Sequence, residues 1–134
     1  MGVMKAKRVT PPKKTVLLVE DHRPLLEALD RALTRDGFEV LPCTSVPEAI
    51  KVLSTRMPQA VVTDWYLARE SGLSIVRHIR QTLRNERVIV VVMSAAANEE
   101  QHQTCTSIGA NAFLKKPFTM TELLDALKFG RRPR

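Results

Sequence analysis

Five side chains that can bind a cation or act as nucleophile, acid or base follow the ends of short apolar runs in this sequence. Glu20 and Asp21 follow TVLLV, Asp64 follows AVVT, Ser94 follows VIVVVM, and Lys116 lies just past NAFL. Carboxylates held close together repel one another, and a hard divalent cation such as Mg²⁺, which prefers oxygen ligands, relieves that repulsion. The residues therefore predict a magnesium site beside a hydroxyl and an ammonium group.

Asp64 is the best candidate for a nucleophile among these residues. It ends a central apolar run alone, whereas Asp21 and Glu20 form an acidic pair better suited to bind metal. With a metal present, a carboxylate can attack phosphorus and form an acyl phosphate, while the cation, the lysine and the hydroxyl neutralise charge on the transferred oxygens. The set indicates phosphoryl transfer to Asp64.

A parallel sheet is needed to bring these side chains to one edge. After Lys14, short β-branched runs alternate with amphipathic stretches of helical length, which is the pattern of repeated strand and helix units. Ligands of such doubly wound α/β sheets bind outside the carboxyl ends of the strands. The predicted strands are residues 15–19, 38–41, 60–63, 88–93 and 111–114. The predicted helices run from residue 24 to a left-handed cap at Gly37, from about residue 45, and over 74–84, 98–108 and 120–129.

Length, charge and cysteine content restrict the class of protein. The 134 residues predict one domain, and no apolar run is long enough for a membrane span or reads as a signal peptide. Cys43 and Cys105 lack metal-site spacing and are expected to be reduced thiols of a cytosolic protein. The net charge of +7 is concentrated in residues 1–14 and 128–134, which carry five and four basic residues and no acidic ones. We interpret these ends as solvated, and nucleic-acid binding as the less favoured reading.

The chain resembles the response-regulator receiver family of two-component signalling. The resemblance rests on the segments LLVEDH, VVTDWYLARESG, VVMSA and FLKKPF, and on the 30 residues from Asp64 to Ser94 and the 52 from Asp64 to Lys116. It implies a flavodoxin-like fold, with five helices around a five-stranded parallel sheet in the order 2-1-3-4-5. It also predicts three regions, which are a basic flexible leader at 1–14, a receiver domain at 15–129 and a basic tail at 130–134.

The family pattern implies a role for each matching position at the site. Asp64 would be the phosphoacceptor, and Lys116 would contact the phosphoryl group. Mg²⁺ would be bound by Asp21, Asp64 and the main-chain carbonyl of Tyr66, with Glu20 assisting through water.

The resemblance also implies a switch. Ser94 would move to hydrogen-bond the phosphoryl group and Phe113 would turn inward in response, although plain packing of Phe113 in the core is an equal alternative. Ala95 would leave the phosphodonor a way in, and the bond between Lys116 and Pro117 would be cis. The fourth predicted helix has few apolar residues, so we expect it to be the most mobile and part of the output surface.

The sequence departs from the family pattern at several positions. Glu20 replaces the commoner aspartate, Ala68 replaces a proline of the loop after the acceptor, and Phe113 lacks the hydroxyl of the tyrosine often found there. Trp65 and Tyr66 are bulky residues directly after Asp64, and this bulk would slow or redirect the attack of water on a phosphoaspartate. Trp65 is read either as a partner contact or as a lid on the site.

The resemblance implies a cytoplasmic switch rather than an enzyme, with only self-catalysed phosphoryl transfer and dephosphorylation. A sensor histidine kinase or phosphotransfer protein would be the donor, and a downstream protein would bind the face of helix 4, strand 5 and helix 5, with a homodimer left open. The alternatives are a phosphorylation-independent interaction module and the receiver part of a longer DNA-binding regulator. A phosphatase of the haloacid dehalogenase type is disfavoured because Tyr66 stands where its second acid belongs.

Overall fold

The structure, a computed structural model, describes residues 13–96 and 98–129. The five strands are β1 Thr15–Val19, β2 Glu39–Cys43, β3 Ala60–Asp64, β4 Ile89–Ser94 and β5 Ala112–Lys115. The five α-helices are α1 Arg23–Arg35, α2 Val46–Leu53, α3 Leu73–Arg77, α4 Glu99–Ile108 and α5 Met120–Phe129. Of the predicted leader only Lys13 and Lys14 are described, and the predicted tail lies outside the described residues.

All five strands are parallel and follow the order β2-β1-β3-β4-β5. This confirms the predicted flavodoxin-like sheet. The register pairs Asp64 of β3 with Met93 of β4, and Ser94 of β4 with Lys115 of β5. Parallel strands in this register end at one edge of the sheet, which is where the predicted site residues follow them.

The sheet is covered on both faces, as its apolar strands require. Successive side chains of β1 point to opposite faces, so Val16 and Leu18 pack with α1 and α5, whereas Leu17 and Val19 pack with α2, α3 and α4. All four of these β1 side chains are fully buried. The site edge is therefore built on a rigid, doubly packed sheet.

The predicted helix ends are confirmed where the sequence had marked them. Gly37 follows α1 with a φ of 100°, the left-handed conformation that glycine adopts without a steric penalty. At the start of α5 the amide of Glu122 donates to Thr119 Oγ1 at 3.0 Å, and the amide of Thr119 donates to Glu122 Oε1 at 2.8 Å. These reciprocal bonds form the predicted capping box.

The predicted third helix, residues 74–84, is not a uniform α-helix. It begins at Leu73 and continues after Arg77 as a π-helical turn over His78–Thr82. That turn carries Arg80, which is 7% exposed and whose guanidinium donates to the carbonyls of Gly109 and Asn85 and to Asn111 Oδ1 at 2.8–3.0 Å. A buried cation thus ties the end of this helix to the entry of β5, which hydrophobic spacing alone could not predict.

Two further properties of the chain follow from burial. Cys43 and Cys105 are free thiols in the core, and burial raises the pKa of each to about 12. Within the described ranges, no helix combines the length and apolar character needed to cross a bilayer.

Candidate functional site

Three carboxylates meet at the carboxyl edge of the sheet. Glu20 directly follows β1 and Asp64 ends β3, and the pairing of Val19 with Thr63 sets the two strand ends side by side. Glu20, Asp21 and Asp64 each offer a carboxylate oxygen, and these oxygens all lie within 4.8 Å of one another. Glu20 is 1% exposed and Asp64 8%, whereas Asp21 is the most accessible of the three. The structure therefore brings together the predicted acidic set.

Lys116 reaches this cluster from the end of β5. Its Nζ lies 2.8 Å from Glu20 Oε1 and 3.0 Å from Asp64 Oδ2. Its amide donates to the carbonyl of Ser94 at 2.9 Å, and the bond to Pro117 is cis, as the resemblance implied. The backbone of Lys116 is therefore held by the end of β4, and its ammonium is held between two carboxylates.

The electrostatics of the site show an excess of negative charge. Burial is the largest influence on Glu20 and raises its pKa, and the charge of Asp64 adds to this, while hydrogen bonds from Lys116 and from the amide of His22 lower it by less. Burial alone would lower the pKa of Lys116, but its hydrogen bonds to Glu20 and Asp64 and their charges outweigh burial and raise it. Among the described residues, one ammonium faces three carboxylates, and this all-oxygen set fits a hard divalent cation.

The loop after Asp64 is closed by a short antiparallel bridge. Tyr66 and Ser71 pair there, with the carbonyl of Trp65 accepting from the amide of Gly72 at 2.7 Å and the amide of Leu67 donating to the carbonyl of Glu70 at 3.0 Å. These two bonds do not use the carbonyl of Tyr66. That carbonyl is therefore not required by the bridge.

Gly72 packs directly on the backbone of the candidate acceptor. A Cβ at this position would overlap the carbonyl oxygen of Asp64 and would lie 2.7 Å from Thr63 Oγ1, which itself donates to the same carbonyl at 2.9 Å. Only glycine allows this approach, so the peptide of Asp64 is held by close contact. The sequence analysis gave Gly72 no role, although this glycine ends the segment VVTDWYLARESG on which the resemblance rests.

Gly72→Ala should therefore disturb the acceptor loop. Overpacking of this kind costs about 1–3 kcal/mol of folding free energy, and here the strain falls on the Asp64 peptide. We expect a lower urea midpoint and weaker Mg²⁺ binding, measured by Trp65 fluorescence. The matched control is Ser74→Ala, an exposed position two residues later, which should stay within about 0.5 kcal/mol of wild type. Equal behaviour of the two variants would contradict the close-packing argument.

Ser94 is buried at the end of β4, and its hydroxyl is already engaged. Its Oγ donates to Gln101 Oε1 at 2.9 Å and accepts from the amide of Ala96 at 3.1 Å. Gln101 lies in the first turn of α4, where its amide donates to the capping side chain of Asn98 at 2.8 Å. Its side-chain nitrogen donates to the hydroxyl of Tyr66 at 3.1 Å. The sequence analysis missed Gln101.

An aromatic cluster lies beside this hydrogen-bond chain. Trp65 is 9% exposed and meets Phe113 edge-on, with ring centroids 5.9 Å apart, and His102 of α4 stacks on Phe113 at 5.8 Å. Tyr66 stacks on Trp65 at 6.0 Å and is largely exposed. Trp65 therefore packs against the predicted switch residue.

Comparisons with known proteins give the family. The model of the family described as "Response regulator receiver domain" matches residues 16–128, and the chain belongs to this family. The phosphate regulon transcriptional regulatory protein PhoB of Pseudomonas aeruginosa is 29% identical over 115 residues, which cover 86% of this chain and 50% of the relative. The chemotaxis response regulator CheY4 of Vibrio cholerae has a TM-score of 0.81 at 21% identity, covering 89% of this chain and 99% of its own.

Membership of the family makes the chain a receiver domain of two-component signalling. Receiver domains are phosphoacceptors that interact with histidine kinases or phosphotransfer proteins and with downstream effectors. A structural neighbour from Burkholderia pseudomallei, with a TM-score of 0.79, 24% identity and coverage of 85% and 66%, was solved with a phosphorylated aspartic acid, a calcium ion and citrate. The chain spans about half the length of the curated relatives it matches.

Proposed function

We propose that this chain accepts a phosphoryl group on Asp64 from a sensor histidine kinase or phosphotransfer protein and uses it to switch a protein-interaction surface. The observation that carries the proposal is the position of the Asp64 carboxylate. One oxygen is held by Lys116 at 3.0 Å, and the group lies within the acidic cluster formed with Glu20 and Asp21. A carboxylate in this setting has both a cation for the incoming phosphoryl oxygens and a place for a metal.

Mg²⁺ would be bound by Asp21, Asp64 and the main-chain carbonyl of Tyr66, with Glu20 contributing through water. The unused carbonyl of Tyr66 in the bridge to Ser71 supports this assignment. The ion would supply positive charge to the transferred phosphoryl oxygens.

The transfer itself uses groups of this chain. An oxygen of Asp64 attacks phosphorus of the donor phosphohistidine, a P–O bond forms, and the P–N bond breaks with its electron pair passing to the imidazole. Lys116 neutralises the phosphoryl oxygens throughout. Attack by water on phosphorus later returns the Asp64 carboxylate and inorganic phosphate, so the chain is a phosphoacceptor with self-catalysed turnover rather than an enzyme acting on a separate substrate.

The donor would approach past Ala95, which is exposed at the end of β4. A mostly apolar surface cavity of about 400 Å³ opens there beside Lys116, and an apolar lining of this kind supports contact with a protein donor. The cavity is lined by Leu25, Leu29, Ala95, Lys116, Pro117, Phe118 and Met120.

The output surface would be the face of α4, β5 and α5. The contacts of Ser94 with Gln101 and of Phe113 with His102 support this, because both predicted switch residues touch the first turn of α4. The proposal includes a cytoplasmic location, which the free thiols favour. A receiver that is part of a longer regulator is a second candidate, favoured by the half-length match to PhoB.

Acetyl phosphate with Mg²⁺, followed by intact-mass measurement, tests the proposal. Wild type should gain one phosphoryl group, and borohydride should reduce the acyl phosphate so that residue 64 is recovered as homoserine. Asp64→Asn and wild type with EDTA should show no gain. Modification of another residue, or of Asp64→Asn to the same extent, would refute the assignment, and no gain in wild type would favour the phosphorylation-independent module.

A further inference from the structure

Ser94 Oγ has a single proton, and in this structure that proton is committed to Gln101. A hydroxyl donates one hydrogen bond, and the bond here runs to Gln101 Oε1 at 2.9 Å. Phosphoryl oxygens at pH 7 are acceptors, so Ser94 can reach a phosphoryl group only by donating the same proton. The bond to Gln101 and a bond to the phosphoryl group therefore exclude each other.

We infer that Gln101 is a positioning residue that holds Ser94 in the unphosphorylated arrangement and sets the free-energy cost of activation. The inference rests on the proposed function, because it concerns the regulation of that same site. Gln101 acts through Ser94 and, within the part of the chain that the structure describes, makes no hydrogen bond to the carboxylate of Asp64. Its removal should favour the phosphorylated arrangement.

The geometry gives Gln101 two further anchors. Its backbone amide is bound by the cap residue Asn98 at 2.8 Å, and its side-chain nitrogen donates to Tyr66 Oη at 3.1 Å. The acceptor oxygen offered to Ser94 is thus fixed in direction from both sides. Tyr66 lies two residues after Asp64, so the hydrogen-bond chain runs from the acceptor loop through α4 to the end of β4.

Release of Ser94 would be transmitted to α4 directly. The next residue, His102, stacks on Phe113 with ring centroids 5.8 Å apart. One helical turn therefore contacts both predicted switch residues, Ser94 through Gln101 and Phe113 through His102. Loss of the first contact leaves the turn held by the cap, by the bond of Gln101 to Tyr66 and by the ring stack.

The test is a titration of beryllofluoride, in the presence of Mg²⁺, followed by Trp65 fluorescence. Gln101→Leu retains a side chain of similar size and removes the acceptor, so it should bind beryllofluoride about 2- to 10-fold more tightly, the effect of one hydrogen bond. The matched control is Gln103→Leu on the same helix, whose amide bonds only Glu99 at 3.2 Å among its described contacts, and which should bind as wild type does.

A double-mutant cycle separates this role from general loosening of α4. In a Ser94→Ala background there is no proton to release, so Gln101→Leu should leave beryllofluoride affinity unchanged there. Equal tightening in both backgrounds overturns the inference, as does an unchanged affinity of Gln101→Leu when wild type responds. An unresponsive wild type overturns the phosphoacceptor proposal itself and this inference with it.

Discussion

Lys116→Met should weaken beryllofluoride binding by about 10- to 100-fold while leaving Mg²⁺ binding as tight as in wild type or tighter. The ammonium makes charged hydrogen bonds to Glu20 and Asp64, and bonds of this kind contribute about 1.5–3 kcal/mol to a bound anion. The effect of the substitution on Mg²⁺ affinity is the opposite, because Lys116 competes with the ion for the same carboxylate oxygens. The two affinities should therefore move in different directions.

Trp65 fluorescence measures both affinities of the Lys116 variant. The control is Lys115→Met, which removes an exposed charge at the adjacent position and should change neither affinity by more than about 3-fold. A parallel loss of both affinities would mean that Lys116 organises the carboxylates rather than binding the phosphoryl group.

The same substitution has a signature in the pH dependence of stability. The pKa of Lys116 is raised in the folded protein, so its pairing contributes stability that is complete below its ordinary pKa of 10.5 and is lost as the pH rises through the raised value. Lys116→Met should not show this loss of folding stability at high pH. Urea unfolding at pH values from below 10.5 to above the raised pKa measures the difference.

Arg80→Met should lower the free energy of unfolding by about 3 kcal/mol or more. The substitution keeps an apolar stem but removes the guanidinium that donates to the carbonyls of Gly109 and Asn85 and to Asn111 Oδ1, the last of which also accepts from the amide of Val90 at 2.7 Å. Gly109 is buried, and a buried carbonyl that loses its partner pays the full cost of desolvation, which makes this loss larger than that of an exposed charge.

Thermal and urea unfolding measure this effect, with an expected drop in Tm of roughly 10 °C. The control is Arg77→Met, an exposed basic residue one helical turn earlier that should change stability by less than about 0.5 kcal/mol. If both variants were equally stable, the hydrogen bonds of Arg80 would not be a main support of the π-helical turn.

The sheet and most of the acidic site were predictable from the sequence for one physical reason. Parallel strands buried on both faces appear as continuous apolar runs in the sequence. The residues that follow these runs lie together at the carboxyl edge of the sheet. Glu20, Asp64 and Lys116 follow three of them, so their meeting required no knowledge of side-chain contacts. Strand ends moved by one or two residues, as at β2, because pairing with β1 rather than apolar content sets where a strand stops.

The contacts of Gly72, Arg80 and Gln101 could not be predicted in this way. Each depends on how a helix is rotated and placed against a distant backbone segment, which periodicity does not specify. Gln101 illustrates the limit, since it lies in a helix with few apolar residues and joins Ser94 to Tyr66, 35 residues earlier in the chain. Polar partners of this kind leave no repeat in the sequence.

The folded chain is unreactive toward cysteine reagents because both of its thiols are buried. Cys43 and Cys105 are buried and stay protonated far above neutral pH, because their pKa values lie near 12. Thiolate is the reactive form, so maleimides have no target in the native protein. A single cysteine introduced on α4 would therefore carry a spectroscopic label at one known place, without first replacing the native residues, and would report the motion of that helix directly.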